Sequence, residues 1–264
     1  VTVNESPLTD GQTFDINTLA FSADFQDSTE SSLFNTGIDE PNGYSQETME
    51  DVSGDGEITK TETGRSQEDL PNVIFIQLES YFDVAEAEFF TTSEDATPNL
   101  HAMAQQYSSG YFKVPSVGAG TANTEFEVLT GMNMRYFGPG EYPYKTIVKF
   151  QPTESAATAF SALGYGTHAL HNNGGNFYSR ARVYNMMGFD TFTSKEFMNI
   201  LQTTENGWSK DEILIDHILE AMDTTEQQDF VFGVSVQGHG DYPEEQVLEN
   251  PKIKVEGIED EALK

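Results

Sequence analysis

Two short apolar runs, Val73-Ile74-Phe75-Ile76 and Phe230-Val231-Phe232-Gly233-Val234, limit most strongly what this chain can become. Both are nearly uninterrupted, and the first is β-branched at three of its four positions, as expected of strands covered on both faces in a parallel sheet. Neither approaches the roughly 20 residues that span a bilayer. Helical and strand-like stretches alternate between them. Pro98 opens a helix carrying Leu100, Met103, Ala104 and Tyr107 at helical spacing. Tyr111–Val114 reads as a short strand, 121–129 and 154–163 as helices, 167–170 as a strand, and 211–222 as a helix with Leu214, Ile218, Ala221 and Met222 on one face. The alternation predicts an α/β domain, a mostly parallel sheet with helices on both faces and its sites at the carboxyl ends of strands.

At 264 residues the chain has length for one large domain or two small ones. Residues 1–70 lack a sustained apolar period and read as an irregular acidic arm, and 71–264 as the folded domain. Thirteen Lys and Arg against 44 Asp and Glu give a net charge of −31, which disfavours nucleic acid as a partner. No cysteine is present, so disulfides, thiolate metal sites and a cysteine nucleophile are excluded. Val1 opens no signal peptide, so the natural start was trimmed or the chain has no export signal. In the arm, the run from Asp51 to Glu62 matches the twelve-residue calcium loop. Asp51, Ser53, Asp55, Glu57 and Glu62, at loop positions 1, 3, 5, 7 and 12, are the candidate ligands, position 9 also carries a side-chain oxygen in Thr59, and Gly56 makes the turn; an acidic linker matching by chance is the alternative.

Three polar clusters fall where such a fold assembles a site. Glu79-Ser80 follows the first strand, and a carboxylate there can ligate a divalent cation or be an ordinary loop acid. Gly118-Ala119-Gly120-Thr121-Ala122-Asn123 is a small-residue turn feeding a helix, which favours an anion at the helix start. Thr121 would present its hydroxyl to that anion, or serve only as an N-cap. The run His171 to Arg180 brings amides, an aromatic pair and an arginine together after a strand, a composition suited to a phosphorylated polyol and equally seen in a glycine-bearing surface loop. Gln237-Gly238-His239 places an imidazole at the same sheet edge. His101, His168 and His217 lack such placement and read as structural or surface residues.

In order and spacing, the runs Asn72 to Ser80, Gly118 to Phe126, His171 to Arg180 and Gln237 to His239 resemble the extracellular domain of the lipoteichoic acid synthase family, sulfatase-like phosphoglycerol transferases of the alkaline phosphatase superfold. The resemblance covers about residues 71–245. It implies that Thr121 is the nucleophile and that Glu79 and Thr121 bind a divalent cation, manganese or magnesium. It further implies that His171, Tyr178, Arg180 and His239 surround the phosphoglycerol group, Tyr178 standing where a tryptophan is common. A phosphatidylglycerol-type lipid would be the donor and a glycerophosphate polymer the acceptor, on the outer face of a Gram-positive-type membrane.

The departures carry expectations of their own. That family completes its metal site with an Asp-His pair late in the domain, whereas here no such dipeptide follows His239 and Asp216-His217 lies inside a predicted helix. The fold would still owe several strands beyond Lys264, so a truncated piece with half a metal site, its parent's membrane helices missing, is expected. His171 or His239 would protonate the leaving oxygen or merely bind phosphate oxygens. Rival readings are a hydrolase or another phospho-head-group transferase on this scaffold, and a binding domain without turnover. A true sulfatase is disfavoured because no Cys/Ser-x-Pro-x-Arg run exists.

Overall fold

The computed structural model describes residues 70–115, 120–138, 140–199, 202–240 and 249–258, with Ser45, Glu47 and Tyr242. The acidic arm apart from Leu70, Ser45 and Glu47, the whole candidate calcium loop, and Gly118-Ala119 therefore lie outside the described residues.

Four strands form one sheet: β1 (Val73–Gln77), β3 (Gly166–His171), β4 (Thr191–Ser194) and β5 (Asp229–Val234). Their order is β1-β5-β3-β4 and every pairing is parallel. The register puts Gln77 and His171 on either side of Val234, so the carboxyl ends of three adjacent strands meet there. A separate antiparallel pair joins β2 (Thr91–Thr92) to β6 (Val255–Glu256).

Helices cover both faces, as the alternation predicts. On one side α2 (Thr121–Thr130), α4 (Ala156–Ala162) and α5 (Arg180–Met186) bring Ala122, Phe126, Leu129, Ala157, Val183 and Tyr184 against Phe230, Phe232 and Val234. Phe230 is stacked by Phe160 at 4.5 Å between ring centres and by Phe189 at 5.9 Å. On the other side α6 (Ile213–Met222) lays Leu214, Ile218 and Ala221 over Leu170 and Val231, because spacings of four and three residues repeat one helical face. Each fully buried ring or branched chain, such as Phe232 at 0% exposure, contributes about 1.5–3 kcal/mol. Ser155 and Thr158 cap the start of α4 reciprocally, and Gly164, at φ 88°, takes the left-handed turn beyond it.

The structure departs from the sequence pattern in three places. β3 and β5 are buried at every position, but β1 is not: Ile74, Phe75 and Ile76 are 47, 41 and 46% exposed. β1 pairs only with β5 among the described residues, so its apolar run meets a neighbour on one side. Tyr111–Val114 forms no strand and stays exposed, since no ladder partner lies beside it among the described residues. The polar run ending at Arg180 is followed by the helix α5, and β4 and the short α3 (Pro143–Thr146) also carry too little apolar periodicity to be seen beforehand. The exposed α1 (Pro98–Gln106) starts at its proline as expected.

Candidate active site

Glu79 stands just beyond β1, where the chain turns through Ser80 at φ 54°. Its backbone N–H donates to Ser235 Oγ at 2.9 Å, tying the end of β1 to the segment leaving β5. The side chain is buried and no lysine or arginine pairs with it among the described residues. Instead Oε1 accepts from Thr121 Oγ1 at 3.0 Å and from Ser80 Oγ at 3.3 Å. Burial raises its pKa above the ordinary carboxylate value; the Thr121 hydrogen bond and the charges of Arg180 and His239 oppose that rise, while Glu125 adds to it.

Thr121 is the first residue of α2. The N-cap is Gly120, in the left-handed region at φ 87°, and no side chain caps the helix, so Thr121 is not an N-cap. Its hydroxyl projects across to Glu79, joining two elements 42 residues apart in sequence. One helical turn on, Glu125 faces the same way and is wholly buried. Arg180 Nε and Nη2 donate to its two oxygens at 3.1 and 2.5 Å, and Tyr184 Oη donates to Oε2 at 2.7 Å. Burial pushes the Glu125 pKa up, but the Arg180 charge and these hydrogen bonds outweigh it and hold the carboxyl below its ordinary value. Arg180 Nη1 has no partner among the described residues although it is buried, so one face of the guanidinium remains available to a ligand.

His171 closes β3 with its Nδ1–H donating to the Val234 carbonyl at 2.9 Å, which fixes the neutral tautomer and leaves buried Nε2 as an acceptor without a partner among the described residues. Burial, reinforced by the Arg180 charge, lowers its pKa to about 4. His239 packs on Trp208 at 4.4 Å between ring centres, and its buried Nδ1 also lacks a partner among the described residues. Gly238 makes this placement possible: a Cβ there would stand 2.7 Å from the Glu79 carbonyl oxygen. Tyr178 stacks on Tyr142 at 5.8 Å, with the Arg180 guanidinium 5.3 Å above its ring. Ser80, Tyr178 and Ser179 are the three non-glycine residues of positive φ among those described, and all three border this site.

The structure thus gathers Glu79, Thr121, His171, Tyr178, Arg180 and His239 around the carboxyl ends of β1, β5 and β3. The three other histidines have protein partners: His101 bonds Asp83 and Asp95, His168 bonds Thr191 and Asp229, and His217 bonds Glu220. Glu125, Tyr184, Ser235 and Trp208 escaped the sequence reading. Only Glu125 left a trace there, as an acid set between Ala122 and Phe126 on an apolar helical face.

A buried carboxylate to which no lysine or arginine is paired among the described residues, facing a hydroxyl, fits part of a divalent-cation ligand set. Glu79 and Thr121 supply two oxygens of it, and no group of three His, Cys, Asp or Glu that could hold a metal occurs among the described residues.

This mixed α/β fold is that of the alkaline phosphatase superfamily. A member of that superfamily from Vibrio parahaemolyticus superposes with a TM-score of 0.51 at 18% identity, over 69% of this chain and 44% of that one. The chain belongs to the sulfatase family, whose model matches residues 71–261. The phosphoglycerol transferase GacH of Streptococcus pyogenes, solved with sn-glycerol-1-phosphate, superposes with a TM-score of 0.67 at 24% identity over 84% of this chain. The lipoteichoic acid synthase LtaP of Listeria monocytogenes does so with 0.55 at 25% identity over 65%. A Rhizobium meliloti (strain 1021) protein named for cyclic beta-1,2-glucan modification is 32% identical over 220 residues, or 83% of this chain. This chain spans 59% of the length of GacH, 41% of LtaP and 33% of the Rhizobium protein. Among the described residues no helix is long and apolar enough to cross a membrane.

Proposed function

We propose that this domain transfers a phosphoglycerol group from a phosphatidylglycerol-type lipid to a polyol hydroxyl through a phospho-threonine intermediate on Thr121, at the outer face of a bacterial membrane. The observation that carries the reading is the 3.0 Å hydrogen bond from Thr121 Oγ1 to the buried Glu79 carboxylate, with the open nitrogens of Arg180 and His171 lying over the same strand ends. The likeness to a phosphoglycerol transferase and to a lipoteichoic acid synthase supports the substrate class.

The chain's residues divide the chemistry as follows. Glu79 Oε1 holds the Thr121 proton and orients Oγ1 for attack on phosphorus. Arg180, clamped by Glu125, offers Nη1 to a phosphate oxygen. His171 Nε2 is unprotonated near neutrality and accepts from a glycerol hydroxyl, which leaves His239 to protonate the departing diacylglycerol oxygen. Attack forms the Oγ1–P bond and breaks the lipid P–O bond; an acceptor hydroxyl then reverses the exchange and frees Thr121. A divalent cation, manganese or magnesium, held in part by Glu79 and Thr121, would supply charge neutralisation at phosphate and a more acidic hydroxyl.

A glycerophosphate polymer is the first reading of the acceptor. The Rhizobium relative favours a second, a glucan hydroxyl. Incubation with labelled phosphatidylglycerol and manganese should release diacylglycerol and add one glycerophosphoryl group to the protein, seen by intact mass. Thr121→Ala should abolish both while lowering stability by no more than about 2 kcal/mol, the scale of one charged hydrogen bond. Undiminished transfer by that variant removes Thr121 as nucleophile.

A further inference from the structure

Charge is unevenly spread along this chain. Residues 121–182, which run from Thr121 through α3 and β3 to the start of α5, carry five cations against four carboxylates, a net of +1. The other 202 residues carry eight cations against forty carboxylates, a net of −32. Within the near-neutral segment Glu125 is committed to Arg180, Glu127 accepts from the Met134 N–H, and Glu141 accepts from Thr146.

Its outer cations make no ion pair with a described carboxylate and lie instead on rings and carbonyls. Lys145 Nζ is 4.6 Å from the Tyr142 ring centre and 5.1 Å from that of Tyr178; Lys149 Nζ is 5.9 Å from Phe150. Arg182 Nε donates to the Lys149 carbonyl at 2.5 Å, joining α5 to the end of the α3 segment, and the Tyr142–Tyr178 stack joins the start of α3 to the turn before α5. The result is one continuous face bordering Arg180, with Phe150 and Phe177 67 and 50% exposed on it. Three other exposed rings sit in acidic company, whereas Tyr136, 50% exposed, carries the Arg135 guanidinium 4.6 Å from its ring centre. Phe89, Tyr107 and Tyr111 belong to residues 81–113, where five carboxylates face one lysine.

We propose that the face formed by Lys145, Lys149, Phe150, Phe177 and Arg182 docks on an anionic phospholipid surface, presenting the mouth of the site to the bilayer. Rings with cations beside them suit the headgroup region, where the ring enters the interface and the cation meets lipid phosphate. The acidic remainder of the molecule is repelled by the same surface, so charge selects this orientation. The inference rests on the lipid-donor reading for its purpose, but the binding is read without turnover.

Co-sedimentation of the full chain with phosphatidylcholine vesicles, with and without phosphatidylglycerol, tests it. Binding should require phosphatidylglycerol and weaken as salt rises. Each cation near an anionic surface is worth about fivefold in affinity, so Lys145→Glu with Lys149→Glu should weaken binding by at least about twentyfold. Phe150→Ser should weaken it without changing net charge. Lys252→Glu with Lys254→Glu makes the same charge change beside the separate β2–β6 pair and should leave binding within about twofold. Melting curves confirm that each variant is folded. Equal binding to neutral vesicles, an unaffected Lys145/Lys149 variant with an unaffected Phe150 variant, or equal weakening by the Lys252/Lys254 control would overturn the proposal. Thr121→Ala should bind vesicles as the parent does, so loss of transfer with retained binding speaks only to the chemistry.

Discussion

His171 makes the folded state sensitive to mild acid, and the size of the effect can be worked from its environment. Its ring is 2% exposed and its pKa lies near 4, against about 6.5 in an unfolded chain. Above pH 7 both states hold the imidazole neutral and nothing is lost. As pH falls through 6.5 the unfolded chain takes up a proton that the folded chain refuses, so stability drops by up to about 1.4 kcal/mol per pH unit. Between pH 7.5 and 5.0 the loss amounts to about 2 kcal/mol, and it levels off near 3 kcal/mol once pH is below the folded value of about 4. Urea unfolding of the parent and of His171→Gln at both pH values isolates this share, because every other titrating group is common to the two proteins. The parent should lose about 2 kcal/mol more than the variant on going to pH 5.0. Parallel losses in the two proteins would show that His171 is not held neutral and would remove the basis for its role as a hydroxyl acceptor.

Two other substitutions probe how the site is held. Glu125→Ala leaves the Arg180 guanidinium buried without its partner and should cost about 3–5 kcal/mol by denaturant midpoint at constant slope; a cost below about 1 kcal/mol would mean that water already reaches the pair. Gly238→Ala drives a Cβ to 2.7 Å from the Glu79 carbonyl and should cost about 1–3 kcal/mol while lowering kcat through displaced Glu79 and His239. Unchanged turnover with a normal melting curve would show that the Gly238–Glu79 contact does not position the site.

What could be read in the linear chain and what could not separate cleanly by physical range. The strand and helix types of 73–77, 121–130, 156–162, 166–171, 213–222 and 229–234 were legible, because burial imposes a local period on apolar residues. The candidate site residues were legible as polar groups just after strands or at a helix start, and the same spacing carried the family resemblance, which the match over residues 71–261 bears out. β4 and α3 were not, since short elements hold too few residues for a period to register. The exposure of β1 was not, because edge or centre is a property of neighbours and not of Val73–Gln77 itself.

By itself, then, the sequence determined an acidic, cysteine-free α/β domain with an acid and two histidines at strand ends, a hydroxyl at a helix start and an arginine closing the polar run after a strand. Only the tertiary structure decided that Thr121 bonds Glu79 and does not cap its own helix, that Glu125 aims Arg180, and that His171 is held as an acceptor. Those outcomes depend on groups 42 to 63 residues apart meeting in a desolvated space, where the strength of each interaction is set by burial and by neighbours no local pattern records.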